Sequence, residues 1–196
     1  MFFDEKIVAI ERALEDAGIA HAFGGANALA YYGTPRATAD IDLNVFVASS
    51  RASEVLEVLG DLGVATSSTR VAELIERDGQ ARVFWDKTPI DLFFSYDPLH
   101  DSSMERRRRV DFGGDEIHVL SAEDLMVYKI VFDREKDWRD MAEVIFAAEG
   151  ELDFDYVREW MTKIVPEDDP RPARFERLVD SGGQELGSGQ DGTRPL

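Results

Sequence analysis

Two aspartates separated by one apolar residue, Asp40 and Asp42, open the run "DIDLNVFV". On a strand, side chains at i and i+2 share a face, so both carboxylates point one way, about 6–7 Å apart at the backbone. Ile41, Leu43 and Val45 then point the other way, into a core. Carboxylates so placed repel each other unless a cation lies between them. Hard oxygen ligands suit Mg²⁺, which binds through one or two carboxylates plus substrate phosphates, and a pair of such ions can clamp an in-line transfer at phosphorus. A third candidate lies in "TPIDLFFS", where Ile90, Leu92 and Phe94 alternate as a core face and Asp91 faces the opposite side. A lone charge in an apolar strand is costly without a role or a partner. On a strand beside the first, Asp91 would complete the metal set and could take the proton of an attacking hydroxyl. Gly24 and Gly25 precede the pair. Adjacent glycines let a backbone approach a triphosphate and cradle it with N–H groups, and the helix that follows from about Ala26 would favour an anion at its N-terminus. Taken singly, each feature is ordinary: a turn, an edge carboxylate, a common dipeptide spacing. Their combination, in this order, is far more specific.

The elements that must position these groups are legible in outline. Ile7, Ile10, Leu14 and Ala17 make one stripe of a helix over Asp4–Gly18, stopped by its glycine. "IAHAF" reads as a short strand ending at the glycine turn, "ANALAYY" as a helical segment ended by Gly33 and Pro35, and "IDLNVFV" as a strand. Helices are expected over Ala52–Leu62 and in "RVAELIERD". "ARVFWD" and "PIDLFFS" read as a hairpin joined by Lys87-Thr88, and "VDFGGDEIHVL" as a second hairpin around Gly113-Gly114. "YDPLHDSSMERRRR" between them reads as a polar connection. From Ser121 the pattern turns helical, with Ser121 and Asp124 as a capping box and a break near Arg134. Two further helices follow, in "FDYVREWMTKIV" and "RPARFERLVD". The predicted class is α/β (α+β): a small mixed sheet flanked by helices over residues 1–120, a helical C-terminal part over 121–180, and a disordered tail over 181–196.

The run "GGANALAYYGTPRATADIDL" resembles the signature of the nucleotidyltransferase superfamily, in particular its minimal and AbiEii-type toxin branches: a Gly-Gly turn, a short helix, an arginine (Arg36), a threonine (Thr38), then an Asp-x-Asp strand. Asp91, in its hydrophobic strand, matches the family's third aspartate. "YKIVFDREKDWRDM" resembles a downstream motif of the AbiEii-type branch and puts Lys129, Arg134, Asp137 and Asp140 on that motif's positions. The likeness runs roughly from Phe23 to Val144. It implies a mixed sheet of five strands or fewer and Mg²⁺-dependent (or Mn²⁺-dependent) transfer of NMP from an NTP to an acceptor hydroxyl on a tRNA end, a protein or a small molecule. Asp40, Asp42 and Asp91 would bind metal and, with Lys129, make the catalytic set. Gly24, Gly25, Arg36, Thr38, Lys129 and Arg134 would contact the nucleotide. It also implies a possible toxin role, with an antitoxin as partner. The chain departs from the pattern at Gly25, where many members carry serine, and at Lys136-Asp137, where Arg-Asp is commoner. Two rival readings stand beside this one: a non-catalytic nucleotide- or partner-binding protein of the same fold, and an adenylyltransferase that modifies antibiotics.

Other residues divide between chemistry and plain structure. Arg36 could meet a phosphate or an acidic neighbour, and Thr38 could simply shape the turn. Lys129 in "LMVYKIVF" either snorkels to water or serves a site. On a continuous helix, Asp133, Lys136, Asp137 and Asp140 would lie near its face. Arg106–Arg109 could hold an RNA acceptor or an NTP tail, or act as a solvated loop balancing nearby acids. His21, His100 and His118 show no ligand spacing and read as structural or surface residues, and Trp85, Trp138 and Trp160 as core or interface. The chain of 196 residues, 44% hydrophobic, can bury a proper core. It has no cysteine, so disulfides and thiolate metal sites are excluded. No apolar run spans a bilayer, and the acidic N-terminus is unlike a secretory signal, so a cytoplasmic location is expected. The net charge of −18 repels extended nucleic acid and favours a cationic acceptor.

Overall fold

The structure, a computed structural model, describes residues 1–148 and 151–184. The tail expected over 181–196 lies outside the described residues from position 185 onward. By its contacts the chain divides into two compact units, residues 1–30 with 35–121, and residues 31–34 with 122–196.

The first unit runs α1 (Phe3–Asp16), β1 (His21–Phe23), α2 (Gly25–Leu29), β2 (Ile41–Ala48), α3 (Ala52–Asp61), α4 (Thr69–Asp78), β3 (Gln80–Trp85), β4 (Thr88–Ser95), α5 (Pro98–Arg106), β5 (Arg108–Phe112) and β6 (Asp115–Val119). Its six strands form one mixed sheet in the order β3-β4-β2-β1-β6-β5. The pairs β2/β4 and β1/β6 are parallel; the other three neighbours are antiparallel. The fold is therefore the mixed α/β class expected. The sheet is larger than the family resemblance implies, because the β5–β6 hairpin joins it, with β6 lying parallel to β1.

Period-two patterning sets the faces. Ile41, Leu43, Val45 and Val47 of β2 and Ile90, Leu92 and Phe94 of β4 are all buried. Burying each such side chain contributes about 1.5–3 kcal/mol. α1 adds Ile7, Ile10 and Leu14, which are fully buried; Ala17, expected on the same stripe, caps the helix and is exposed. Gly18 follows in the left-handed conformation that ends the helix (φ +68°). Lys6 is buried beside this stripe. Its ammonium donates to the Trp85 carbonyl (2.8 Å), Thr88 Oγ1 (3.1 Å) and Asp86 Oδ2 (3.2 Å), fastening α1 to the β3–β4 turn.

Two segments differ from their sequence reading. The stretch read as a polar connection contains α5. Asp97 caps it by accepting from the Leu99 N–H at 2.8 Å, Pro98 occupies the first turn, and Leu99, His100 and Ser103 are buried. Conversely, α2 ends at Leu29 rather than near Tyr32. Residues 31–34 belong to the second unit, where Thr34 Oγ1 donates to Glu143 Oε2 at 2.6 Å.

The second unit is helical: α6 (Ala122–Phe132), α7 (Glu135–Ala147), α8 (Phe154–Ile164) and α9 (Arg171–Asp180). Asp133, left-handed at φ +52°, breaks α6 from α7 near the expected position and accepts from Trp138 Nε1 at 2.7 Å. Met126, Val127, Ile130, Trp138, Met141, Val144, Val157 and Phe175 are buried. Among the described residues no helix is long and apolar enough to cross a membrane.

Candidate active site

In the parallel pair β2/β4 the register sets Asp42 directly opposite Asp91, with Ile41 opposite Ile90 and Leu43 opposite Leu92. Equivalent positions on neighbouring strands share a sheet face, so the two carboxylates emerge together from the face opposite the apolar residues. Each is half-buried. Asp40 lies just ahead of β2, on a bend rather than in the strand. Thr38 holds it there: the threonine hydroxyl donates to Asp40 Oδ1 and lies 3.3 Å from the Asp40 carbonyl. Arg36 is exposed in the same approach to the strand.

The glycine turn presses against this group. The Gly24 N–H donates to the Asp42 carbonyl at 2.9 Å. Gly25 is left-handed (φ +52°), and a Cβ built on it would sit 1.8 Å from Asp42 Oδ2. Only glycine fits there without moving the carboxylate. α2, which begins at this turn, is a single short helix of 5 residues, so its dipole is small.

A residue that the sequence reading missed completes the cluster. Arg82, directly across the antiparallel β3/β4 pair from Asp91, grips it with two bonds, Nε to Oδ1 and Nη2 to Oδ2, each 2.6 Å. The same Nη2 lies 3.9 Å from Asp40 Oδ2. The hydrogen bond and charge of Asp91 raise the guanidinium pKa well above its ordinary value, and the charges of Asp40 and Asp42 add to this. One cation thus feels all three aspartates. Asp42 and Asp91 face each other from adjacent strands, with Asp40 just ahead of the first, beside a turn that admits no side chain.

Lys129 and Arg134 stand in the second unit within a charge network of their own. Lys129 Nζ, almost fully buried, lies 2.5 Å from Asp140 Oδ2 and 3.5 Å from Asp137 Oδ1. Arg134 reaches Asp137 through Nε (2.6 Å), Nη2 (3.1 Å) and its backbone N–H (3.2 Å). The four residues of the downstream motif are therefore joined across the α6–α7 break rather than along one continuous helix. Of the basic run, Arg106 ends α5 and Arg108 and Arg109 open β5, where Arg109 pairs with Glu15 (3.3 Å) and Glu116 (3.2 Å).

A six-strand mixed sheet flanked by helices is consistent with a nucleotidyltransferase-type fold. The chain belongs to the family described as nucleotidyltransferase of unknown function (DUF6036), which matches residues 15–174. Two solved structures of ANT(2'')-Ia share the fold. The solution structure of the antibiotic-resistance factor ANT(2'')-Ia superposes at a TM-score of 0.55 with 14% identity, covering 91% of this chain and 98% of that one. The crystal structure of ANT(2'')-Ia with adenylyl-2''-tobramycin gives 0.50 and 12%, covering 91% and 95%. An antigenic nucleotidyltransferase-like protein from Paracoccidioides brasiliensis gives 0.47 and 14%, covering 91% and 87%. The chain matches no curated protein.

Proposed function

We propose that this chain transfers an NMP group from an NTP to a hydroxyl of a cationic small molecule, with Mg²⁺ or Mn²⁺ as cofactor. The observation that carries the reading is the register that faces Asp42 with Asp91, within reach of a guanidinium that also approaches Asp40. A divalent ion held by Asp40, Asp42 and Asp91 would neutralise phosphate charge as it develops. Asp91, held by Arg82, would accept the proton of the attacking hydroxyl. The glycine turn would receive the triphosphate at the Gly25 backbone N–H, the Gly24 N–H being held by the Asp42 carbonyl, with Arg36 beside it and Thr38 keeping Asp40 in place. For Lys129 and Arg134, which the resemblance assigns to phosphate, the ion pairs to Asp137 and Asp140 favour a supporting part in ordering α6 and α7.

The acceptor class follows from charge. With 40 acidic against 22 basic residues, the chain attracts cations and repels nucleic acid, and the basic run that could hold an RNA end is partly paired with acids. A structural neighbour is an antibiotic-resistance factor crystallised with adenylyl-2''-tobramycin. The second reading, a toxin restrained by an antitoxin and acting on a tRNA end or a protein, draws on the Lys129–Asp140 motif. Incubation with labelled NTPs and Mg²⁺ against separate aminoglycoside, tRNA and protein pools decides. Label on the aminoglycosides, lost in Asp42→Asn, is the expected result. Label on tRNA or protein instead selects the toxin reading, and nucleotide binding without any transfer supports a non-catalytic protein.

A further inference from the structure

Outside the carboxylate cluster, α1, β1 and β6 bring together three side chains that lie far apart in sequence: Glu11, His21 and His118. One ligand atom from each lies within 4.8 Å of the others. Glu11 and His21 are almost fully buried. Glu11 Oε2 accepts from the His118 backbone N–H at 2.9 Å and faces His21 Nε2 at 3.0 Å, while Oε1 faces His118 Nδ1 at 2.6 Å. The other nitrogen of His21, Nδ1, lies 2.9 Å from the Ile19 carbonyl oxygen. A carbonyl only accepts, so Nδ1 carries the hydrogen. A neutral His21 would then aim a bare Nε2 lone pair at a carboxylate oxygen in a dry interior. A hydrogen or a metal ion has to stand between the two atoms.

Three features favour the ion. A ring nitrogen that donates to a backbone carbonyl is the usual arrangement by which a protein orients a metal-binding histidine. Two imidazole nitrogens and one carboxylate are the donor set of open zinc sites, with a water in the fourth position. A cavity of about 250 Å³ is lined by both histidines, with Gly18 and Ala20 beside them, and so brings solvent to the edge of the triad. Glu15 and Arg107 also line it, the guanidinium of Arg107 being engaged by the Met104 carbonyl. The separations of 2.6 and 3.0 Å need to widen only to the edge of a tetrahedron with metal–ligand bonds near 2.0–2.1 Å, about 3.3–3.4 Å.

We propose that Glu11, His21 and His118 form a second metal site, one for a borderline transition ion of the zinc class, which ties α1 to strands β1 and β6. Imidazole ligands select such ions over Mg²⁺, so this site and the Asp40, Asp42 and Asp91 cluster take different metals. When the ion enters, the hydrogens that His21 Nε2 and His118 Nδ1 share with Glu11 both have to move, the first to solvent and the second to solvent or, by a tautomeric shift, to His118 Nε2. The inference stands whether or not the chain transfers nucleotides.

The test uses the full chain, stripped with chelator and then given ZnCl₂ or CoCl₂ in excess. After desalting, elemental analysis is expected to show about one zinc retained per chain, Co²⁺ to give visible d–d absorption of a four-coordinate site, and melting temperature to rise with zinc concentration. His118→Gln keeps a donor for Glu11 and so preserves the fold, as circular dichroism will report, yet should weaken zinc binding more than about tenfold. An Asp42→Asn, Asp91→Asn double variant should retain zinc as the unaltered chain does. No retained zinc and no thermal shift in the unaltered chain overturns the proposal and leaves a plain hydrogen-bonded triad. So does zinc retained equally by His118→Gln, or lost only in the aspartate variant.

Discussion

At the scale of single residues, the pairing of Arg82 with Asp91 is the feature with most influence on the site. Its guanidinium is a resident cation, half exposed, on two of the carboxylates that would hold a divalent ion. Like charges so close repel by up to about 4 kcal/mol at an effective dielectric near 20, less where solvent screens them. Arg82→Gln is therefore expected to tighten Mn²⁺ binding about threefold to tenfold, read by electron paramagnetic resonance. It should at the same time lower kcat more than it changes KM, because Asp91 loses its orienting grip. The three aspartates were legible in sequence because alternation assigns faces. Arg82 was not, for a reason of register. Reading the hairpin turn as Lys87-Thr88 sets Phe84 across from Asp91. The structure turns at Asp86-Lys87, with Trp85 opposite Thr88, and this one-residue shift of the turn brings Arg82 there instead.

At the scale of elements, buried charge decides what holds the helices of the second unit. Lys129 and Asp140 bridge α6 and α7 at 2.5 Å in a nearly water-free setting. Removing one partner of such a pair strands the other, at a cost of about 3–5 kcal/mol, whereas replacing both by apolar residues can be close to neutral. Asp140→Ala should thus destabilise by about 3 kcal/mol in urea denaturation, and Lys129→Met with Asp140→Leu should recover most of that loss. A second ion pair tunes stability with pH. Arg171 donates to Asp169 through Nε and Nη2 (both 2.8 Å) and its backbone N–H (2.9 Å), holding the carboxyl pKa down at about 2. A lowered carboxyl pKa stabilises the fold above the unfolded value of about 4 and ceases to do so as pH falls toward about 2. The difference in melting temperature between the unaltered chain and Asp169→Asn, present at neutral pH, should close across that interval. Most elements were visible in advance from their periodicity. α5 was not, because its polar sequence hides a helix whose evidence is the Asp97 cap and Pro98. The meeting of His21 with His118 was invisible too, since it depends on β6 lying parallel to β1.

At the scale of the whole molecule, the excess of acid governs encounter with partners. A net charge of −18 attracts a cationic acceptor at long range, and salt screens that attraction over about 8–10 Å near physiological strength. For a polycationic acceptor, KM should rise severalfold between about 50 and 500 mM salt with little change in kcat, whereas an uncharged acceptor should show no such trend. If RNA were the acceptor, steady-state rates should improve as salt screens the repulsion.

The contact between the glycine bend and the central carboxylate has an implication for how activity could be lost. One added methyl at position 25 would occupy space that Asp42 Oδ2 now fills. Gly25→Ala should therefore silence transfer while thermal unfolding shows a chain folded much as before. In this chain inactivation is therefore one carbon away, without loss of the sheet that carries the carboxylate.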